Sequence, residues 1–532
     1  MTSRSLDALR GLHGEHEARS RLSMDAIFDQ GLPEPCPEPF NLAAYVLSRA
    51  GELHEKTALS VVSTDGAETW TYGELESAVL GATSGLLELG LQPGDRLLMR
   101  LGNSTDFPIC YLAALAADIV PVPTSALLTE DEASQIIKDV SPSLIVAGPE
   151  IAVPANTPCT VVGLELFRSL YSLPPATYSL GDPHRPGYMI YTSGTSGSPR
   201  AVTHAHRAIW ARRMMWDSWY GLHEDDRLMH AGSFNWTYTL GTGLLDPWSC
   251  GATSLIPSNG VKPDQLGALI EMYDATMFAA SPGVYRQLLR TPPNRSPSLR
   301  HGLSAGEKLP DATRSAWETA TGTPIFEAFG MSECSTFISG SPSRPAPDGT
   351  LGFPQPGRRL AVLGDGAPVK RGEPGVLSIS RRDPGMMLYY WGAAADTAAR
   401  FEGEWFLTGD LVSMSPNGAL TYLGRADDMM NAGGIRVSPL EVENALNAHP
   451  SVAESAAVEV LVKADTTVIA LFFVANGEVE QADLEMHAAE HLARYKCPRI
   501  YTEVEVLPKG PNGKLLRRQL RAAFERSKTT LK

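Results

Sequence analysis

The chain is poor in cysteine, lacks long apolar runs and carries less basic than acidic charge. Its six cysteines (Cys36, Cys110, Cys159, Cys250, Cys334 and Cys497) are scattered and form no CxxC pair. That spacing indicates neither a zinc site nor a disulfide framework, and free thiols in a reducing compartment are expected. No apolar stretch approaches the roughly twenty residues needed to cross a bilayer. The opening "MTSRSLDALRGLHGEHEARS" is charged throughout, where a secretory signal needs an apolar core. A soluble, cytoplasmic protein without a membrane span is therefore expected. A net charge of −15 argues against a nucleic-acid partner, which needs a basic surface. It does not exclude an anionic ligand, because a phosphate site needs only amide donors and local positive charge. No repeat of solenoid or propeller length is present, and no GxxxxGK[ST] loop occurs.

What remains is a globular mixture, 43 per cent apolar and 20 per cent charged over 532 residues. Through about the first three quarters, helical patterns alternate with short buried strands. "FNLAAYVLSRAGEL" and "TYGELESAVLGATSGLLELG" read as amphipathic helices. "GDRLLMRL", "SLIVAGP", "ATSLIP" and "TMFAAS" read as strands bounded by Gly, Pro and Asp. Such alternation predicts an α/β fold of mostly parallel sheets covered by helices. The tail has another texture. "SPLEVENALNAHP" predicts a helix with Ser438 as N-cap and Pro439 at its first position. "SVAESAAVEVLV" and "VIALFFVAN" predict strands, and "QADLEMHAAEHLARY" a further helix. The expected organisation is a large N-terminal domain over 1–426 and a small, mobile α+β domain over 427–532.

The segment "YMIYTSGTSGSPRAVTHAH" puts Thr192, Ser193, Gly194, Thr195, Ser196 and Gly197 between an apolar strand and an expected helix. Hydroxyls and amides pointing inward, with glycines that admit an oxygen close to the backbone, make a phosphate cradle. A Gly/Ser linker has similar composition, but a linker rarely interrupts a domain core. "YTSGTSGSPR" closely resembles the signature loop of the adenylate-forming superfamily, which includes acyl- and aryl-CoA ligases, peptide-synthetase adenylation domains and firefly-type luciferases. Further motifs follow in that family's order. "FEAFGMSE" is similar to its aromatic-Gly-x-Thr-Glu motif. The resemblance implies that Phe329 stacks on adenine, Ser332 contacts the α-phosphate and Glu333 helps hold Mg²⁺, a hard cation that prefers oxygen. "SAGEKL" matches the Gly-Glu segment beside adenine and the acyl pocket, centred on Gly306 and Glu307. "WFLTGD" ends in Asp410, a ribose ligand by resemblance. "LGRADD" carries Arg425, a ribose contact, and Asp427 at the domain hinge. Gly433 and Gly434 would flank the pantetheine path, Arg436 would meet a phosphate, and "LPKGPNGKLLRR" places Lys514 at the adenylation lysine. Taken alone, a lysine in a basic tail is a solvated charge, and "TGD" is a turn.

The resemblance implies the adenylate-forming enzyme fold, ATP and coenzyme A as co-substrates, and an acyl-adenylate on the way to a thioester. It also implies a small domain that rotates about its hinge between the two half-reactions. Departures from the family pattern are Arg200 for a common Lys, Asn431 for a frequent Lys and Gly510 for a frequent Thr. The stretch "SFNWTYTLGTGLLDPWSCGAT" resembles the lining of the acyl pocket. Asn235 stands where amino-acid-activating members carry Asp, which argues against an amino-acid substrate. Trp236, Tyr238, Ala305, Gly330 and Phe337 complete the expected pocket, suited to a compact aromatic, alicyclic or short branched acid. "ECSTFISGSPSRP" and "AGGIRVSPLEVE" look most like benzoate-CoA ligase-type enzymes. The competing activity is a stand-alone adenylating enzyme that loads a carrier protein. His204 and His206, read as lying on a helix, would face different sides and make no metal site. The basic tail reads as a solvated helix end. A homodimer is compatible with the sequence.

Overall fold

A computed structural model of the protein describes residues 25–31, 33–192, 200–426, 428–432, 435–463, 466–510 and 515–529. Ser193, Gly194, Thr195, Ser196, Gly197, Asp427, Gly433, Gly434 and Lys514 lie outside the described residues. Packing divides the chain into two units. The larger comprises 29–359 and 380–404, and the smaller comprises 1–28, 360–379 and 405–532. This grouping follows the continuity of a sheet and not of motion, so the 426/427 lid boundary remains a proposal.

The larger unit is built on a nine-stranded sheet, in which Ile325–Met331, His301–Ala305, Met277–Ala280, Arg227–His230, Thr253–Pro257 and Thr57–Ser63 run parallel in that spatial order. Antiparallel strands close both edges, Ser335–Ser339 and Phe353–Pro354 on one side and Gly66–Thr71 on the other. A second parallel sheet orders Val120–Pro123, Arg96–Arg100, Leu144–Ala147 and Thr160–Gly163. "LIVA" and "MFAA" are buried throughout, as strands covered on both faces must be. The expected helix at "TYGELESAVLG" forms over Tyr72–Glu88 behind a Thr71/Glu74 capping box. Asp106–Ala116 is apolar all round and buried along its whole length, the signature of a core helix.

One local expectation fails. The segment after the hydroxyl-rich loop is not a helix: Arg200–Ala205 is a strand paired antiparallel to Pro186–Thr192, with Thr192 opposite Arg200. The run "AVTHA" sets the adjacent β-branched Val202 and Thr203 in a segment buried from Ala201 to Ala205, and that β preference outweighs the expectation that a phosphate loop opens a helix. The loop therefore joins two strands of a hairpin.

In the smaller unit, Arg359–Gly364, Pro374–Ser380, Trp405–Met414 and Leu420–Arg425 form an antiparallel sheet. Trp405–Met414 alternates partly exposed and buried positions along its ten residues, as a half-buried strand should. The tail adds the hairpin Val452–Lys463/Thr466–Ala475, the parallel strand Ile500–Glu503 and helices Pro439–Asn447, Gln481–His491 and Arg517–Thr529. Ser438 does sit at the N-cap, but its hydroxyl donates to the Leu423 carbonyl instead of capping the helix. The basic tail helix is more than a solvated end. Leu520 and Phe524 pack on Val458, Val460 and Phe472, while Arg517 makes a bidentate pair with buried Glu443 at 2.9 and 2.7 Å.

Three buried imidazoles give the larger unit a pH-dependent stability. Desolvation lowers His204, His230 and His301 from an ordinary 6.5 to about 4, about 3 and about 4. All three are neutral in the folded chain, whereas the unfolded chain protonates them once pH falls below 6.5. Between that value and about 4 the unfolded state binds more protons, so stability falls with pH. Scanning calorimetry is expected to show a melting temperature that declines steadily from about pH 7 to about pH 5. A flat profile over that range would contradict neutral burial of these rings.

Candidate active site

The end of strand Ile325–Met331 carries Phe329 and Gly330, the turn to strand Ser335–Ser339 carries Ser332 and Glu333, and the surrounding side chains hold that turn from several sides. Phe329 is paired across the strands with Ile338, and its ring meets the Phe337 ring edge-on at 5.7 Å. Phe337 itself is fully buried. Register shifts between Phe329 and Gly330. A Cβ on Gly330 would lie 2.3 Å from the Ser335 carbonyl oxygen, so only glycine fits where the strands cross. Ser335 closes the turn in the left-handed region, at φ 63°.

The anchors are chemically distinct. His204 Nε2 donates to the Ser332 carbonyl at 2.7 Å while the ring stacks on Tyr188 at 4.9 Å. A carbonyl can only accept, so Nε2 carries the proton and Nδ1 is the lone-pair nitrogen. Tyr390 donates to Glu333 Oε1 at 2.6 Å. Burial, reinforced by that carboxylate, raises the Tyr390 hydroxyl above its ordinary value and keeps it a donor. Arg200 lies over the Tyr390 ring at 5.3 Å and pairs with Asp396 at 3.0 Å. The fully buried Arg358 pairs with Asp383 at 2.6 Å and donates to the Thr336 carbonyl at 2.9 Å. Arg212 donates to the Ser335 hydroxyl.

Arg212 belongs to a closed polar network. It grips Asp246 through two bonds of 2.8 and 2.6 Å, and Tyr220 donates to the same carboxylate at 2.7 Å. Asp246 and Thr242 come from the segment expected to line the acyl pocket, so the network ties that segment to the Ser332–Glu333 turn.

The remaining expected residues of this unit fall around the same strand ends. Ala305 ends strand His301–Ala305, followed by Gly306 in the left-handed region at φ 99° and the half-buried Glu307. A Cβ on Gly306 would meet the Trp236 ring at 2.7 Å. Trp236 packs edge-on against Tyr238 at 5.2 Å, and the Tyr238 hydroxyl donates to the Leu303 carbonyl at 3.1 Å. Asn235 accepts from the Ser233 hydroxyl at 2.5 Å. In the smaller unit, Asp410 and Arg425 are register partners. The Asp410 carboxylate accepts from Arg425 at 3.3 Å and from Tyr422 at 3.2 Å. Arg436 pairs with Asn431 in a two-stranded ribbon.

Glu333 fits the part of a magnesium ligand. Its Oε1 is oriented by Tyr390, and Mg²⁺ characteristically takes one or two carboxylates and completes its shell with phosphate and water oxygens. No cluster of three or more His, Cys, Asp or Glu able to hold a metal occurs among the described residues. Tyr390 and Arg212 escaped the sequence reading, and His204 figures there only as half of a metal pair. The helix expected after the loop left His204 without a role, and neither Tyr390 nor Arg212 lies inside a recognisable motif.

The sequence pattern of the AMP-binding enzyme family matches residues 47–391, and that of the AMP-binding enzyme C-terminal domain matches residues 441–514. The chain is 32% identical over 519 residues to benzoate–CoA ligase of Thauera aromatica, covering 92% of this chain and 97% of that protein. It is 29% identical to 3-hydroxybenzoate–CoA ligase of Aromatoleum sp. (strain CIB), covering 86% and 92%. The anthranilate CoA ligase AuaEII in complex with anthranoyl-AMP superposes with a TM-score of 0.83 at 26% identity, over 92% of this chain and 98% of that one. A benzoate CoA ligase from Burkholderia xenovorans LB400 gives 0.81 at 28% identity, over 91% and 100%. Fold, motif order and relatives agree, and the chain belongs to the AMP-binding enzyme family, among its AMP-forming acid–thiol ligases.

Proposed function

We propose that the protein activates a small aromatic, alicyclic or short branched carboxylic acid with ATP and passes the acyl group to coenzyme A. The observation that carries this reading is the Gly330–Ser335 turn, whose Ser332 and Glu333 are immobilised by His204 and Tyr390 before any ligand arrives. Preorganised groups of this kind lower a barrier because they need not reorient as charge develops. Carboxylates are poor acyl donors. A carboxylate oxygen attacks the α-phosphorus, the bond to pyrophosphate breaks, and acyl-AMP forms. The coenzyme A sulfur then attacks the acyl carbon, AMP leaves, and the thiol proton passes to solvent. Mg²⁺, when bound, neutralises charge on the phosphate oxygens. In this reading Ser332 and the loop 192–197 contact phosphate, Arg200 orders the hairpin beside them, Phe329 faces adenine, and Asp410 and Arg425 hold ribose. Lys514 meets the phosphates in the first half-reaction. Residues 427–532 turn about Asp427 for the second, with Gly433, Gly434 and Arg436 along the coenzyme A path. The acyl pocket is lined by Asn235, Trp236, Tyr238, Ala305, Gly330 and Phe337. No helix among the described residues is long and apolar enough to cross a membrane, and we place the reaction in the cytoplasm.

Mass spectrometry of the protein with Mg-ATP and a panel of acids is expected to give acyl-CoA only when coenzyme A is present. Acyl-AMP that persists despite coenzyme A would transfer the assignment to a carrier-protein adenylating enzyme. Lys514→Ala is expected to slow pyrophosphate release by roughly a hundredfold while sparing thioester formation from supplied acyl-AMP, and equal loss in both steps would refute the division of labour. Tyr390→Phe removes one hydrogen bond to Glu333. It should lower kcat/KM for ATP by about tenfold and raise the Mg²⁺ concentration needed for half-maximal rate. An unchanged Mg²⁺ dependence would show that Glu333 does not serve the metal.

A further inference from the structure

The acyl-lining segment and the Ser332–Glu333 turn enclose a cavity that the reaction as described does not use. Thr237 borders it on one side and Ser332 and Ser335 on the other, with Tyr111, His204 and Arg212 completing its polar wall. Its free volume of about 20 Å³ admits a water-sized group and excludes the body of an organic acid.

Two side chains in this wall are buried and lack a hydrogen-bond partner. Tyr111 is fully buried in the apolar helix Asp106–Ala116, and its hydroxyl is unpaired. His204 is 2% exposed, and its Nδ1 is unpaired while Nε2 is committed to Ser332. An unsatisfied buried polar atom is destabilising, so two around one small cavity call for a complement. Their chemistry defines it. His204 Nδ1 can only accept, and the Tyr111 hydroxyl can donate. Ser335 accepts from Arg212 and so has its own proton to give. Arg212 is neutralised by Asp246, so the cavity carries no net charge that would attract an anion. A group that both donates and accepts, and occupies the room of one water, satisfies these atoms. A hydroxyl is that group.

We propose that the cavity is a specificity subsite and that the preferred acid carries a hydroxyl substituent, which donates to His204 Nδ1 and accepts from Tyr111. This rests on the ligase reading above and narrows its substrate class. Tyr111 is the specificity residue. His204 joins the subsite to the Ser332 turn that it already holds in position. An unsubstituted acid leaves both atoms unpaired, and discrimination against it follows from that penalty.

The test uses the full-length protein with Mg-ATP and coenzyme A, and measures kcat/KM for benzoate and its three monohydroxylated isomers by pyrophosphate release. At least one isomer is expected to exceed benzoate by about tenfold or more, and Tyr111→Phe should bring that ratio close to one. A wild-type enzyme that turns over benzoate as well as every isomer would overturn the proposal and leave the ligase assignment intact. So would a Tyr111→Phe enzyme that retains the wild-type ratio, the outcome expected if the cavity holds only a structural water. Turnover of none of these acids, with acyl-CoA formed from a different class, would also remove it. Absence of acyl-CoA with any acid would instead defeat the underlying reading. Should Tyr111→Phe fail to fold, Ser335→Ala tests the same cavity by removing one hydroxyl, and is expected to reduce the ratio several-fold.

Discussion

The site depends on buried guanidinium–carboxylate pairs that hold one β-turn. Arg358 and Asp383 are both fully buried, and Arg358 also reaches the Thr336 carbonyl. Arg212 and Asp246 form a second buried pair whose free donor reaches Ser335. Buried ion pairs contribute little net stability compared with apolar packing, because desolvation offsets the attraction. What they supply here is position. Each fixes a specific backbone or hydroxyl oxygen at the start of strand Ser335–Ser339, directly after the Ser332–Glu333 turn. Breaking either would leave a charge stranded in the interior.

The phosphate site proposed here differs from one at the N-terminus of a helix. The loop 193–199 joins two strands, so no helix dipole at its end supports an anion. Positive charge must come from side chains, and Arg200 is at the root of the hairpin, stacked on the same tyrosine that orients Glu333. In the proposed mechanism anion handling and cation handling thus share Tyr390. The arrangement explains how a strongly acidic protein can still handle polyphosphate: the relevant field is local, shaped by a few oriented donors in a desolvated region.

Much of this was legible in the sequence because the motifs keep their order and the buried strands are short, apolar and bounded by breakers. "LIVA", "MFAA" and the tail hairpin formed where periodicity placed them. The motifs also pointed to Ser332 and Glu333, which lie in a turn between two strands, and to Asp410, which lies within a strand. The rest was illegible for a physical reason. His204, Arg212 and Tyr390 act through partners more than fifty residues away in sequence, and no local pattern encodes a contact of that range. The helix expected after the loop failed because Val202 and Thr203 favour a fully buried strand, and that misreading set His204 aside as half of a metal pair that could not form. Ser438 shows the opposite case, where the right residue sat at the right place but spent its hydroxyl on Leu423.

The C-terminal helix Arg517–Thr529 carries a practical consequence. Its charged face suggests a dispensable tail, yet Leu520 and Phe524 roof the face of the sheet that holds Val458, Val460 and Phe472. Shortening the chain ahead of Arg517 would uncover a continuous β-branched and aromatic surface on an edge hairpin, the kind of surface that recruits other copies. Proteolytic nicking there would register first as loss of solubility, and affinity tags are better carried beyond this helix than in its place.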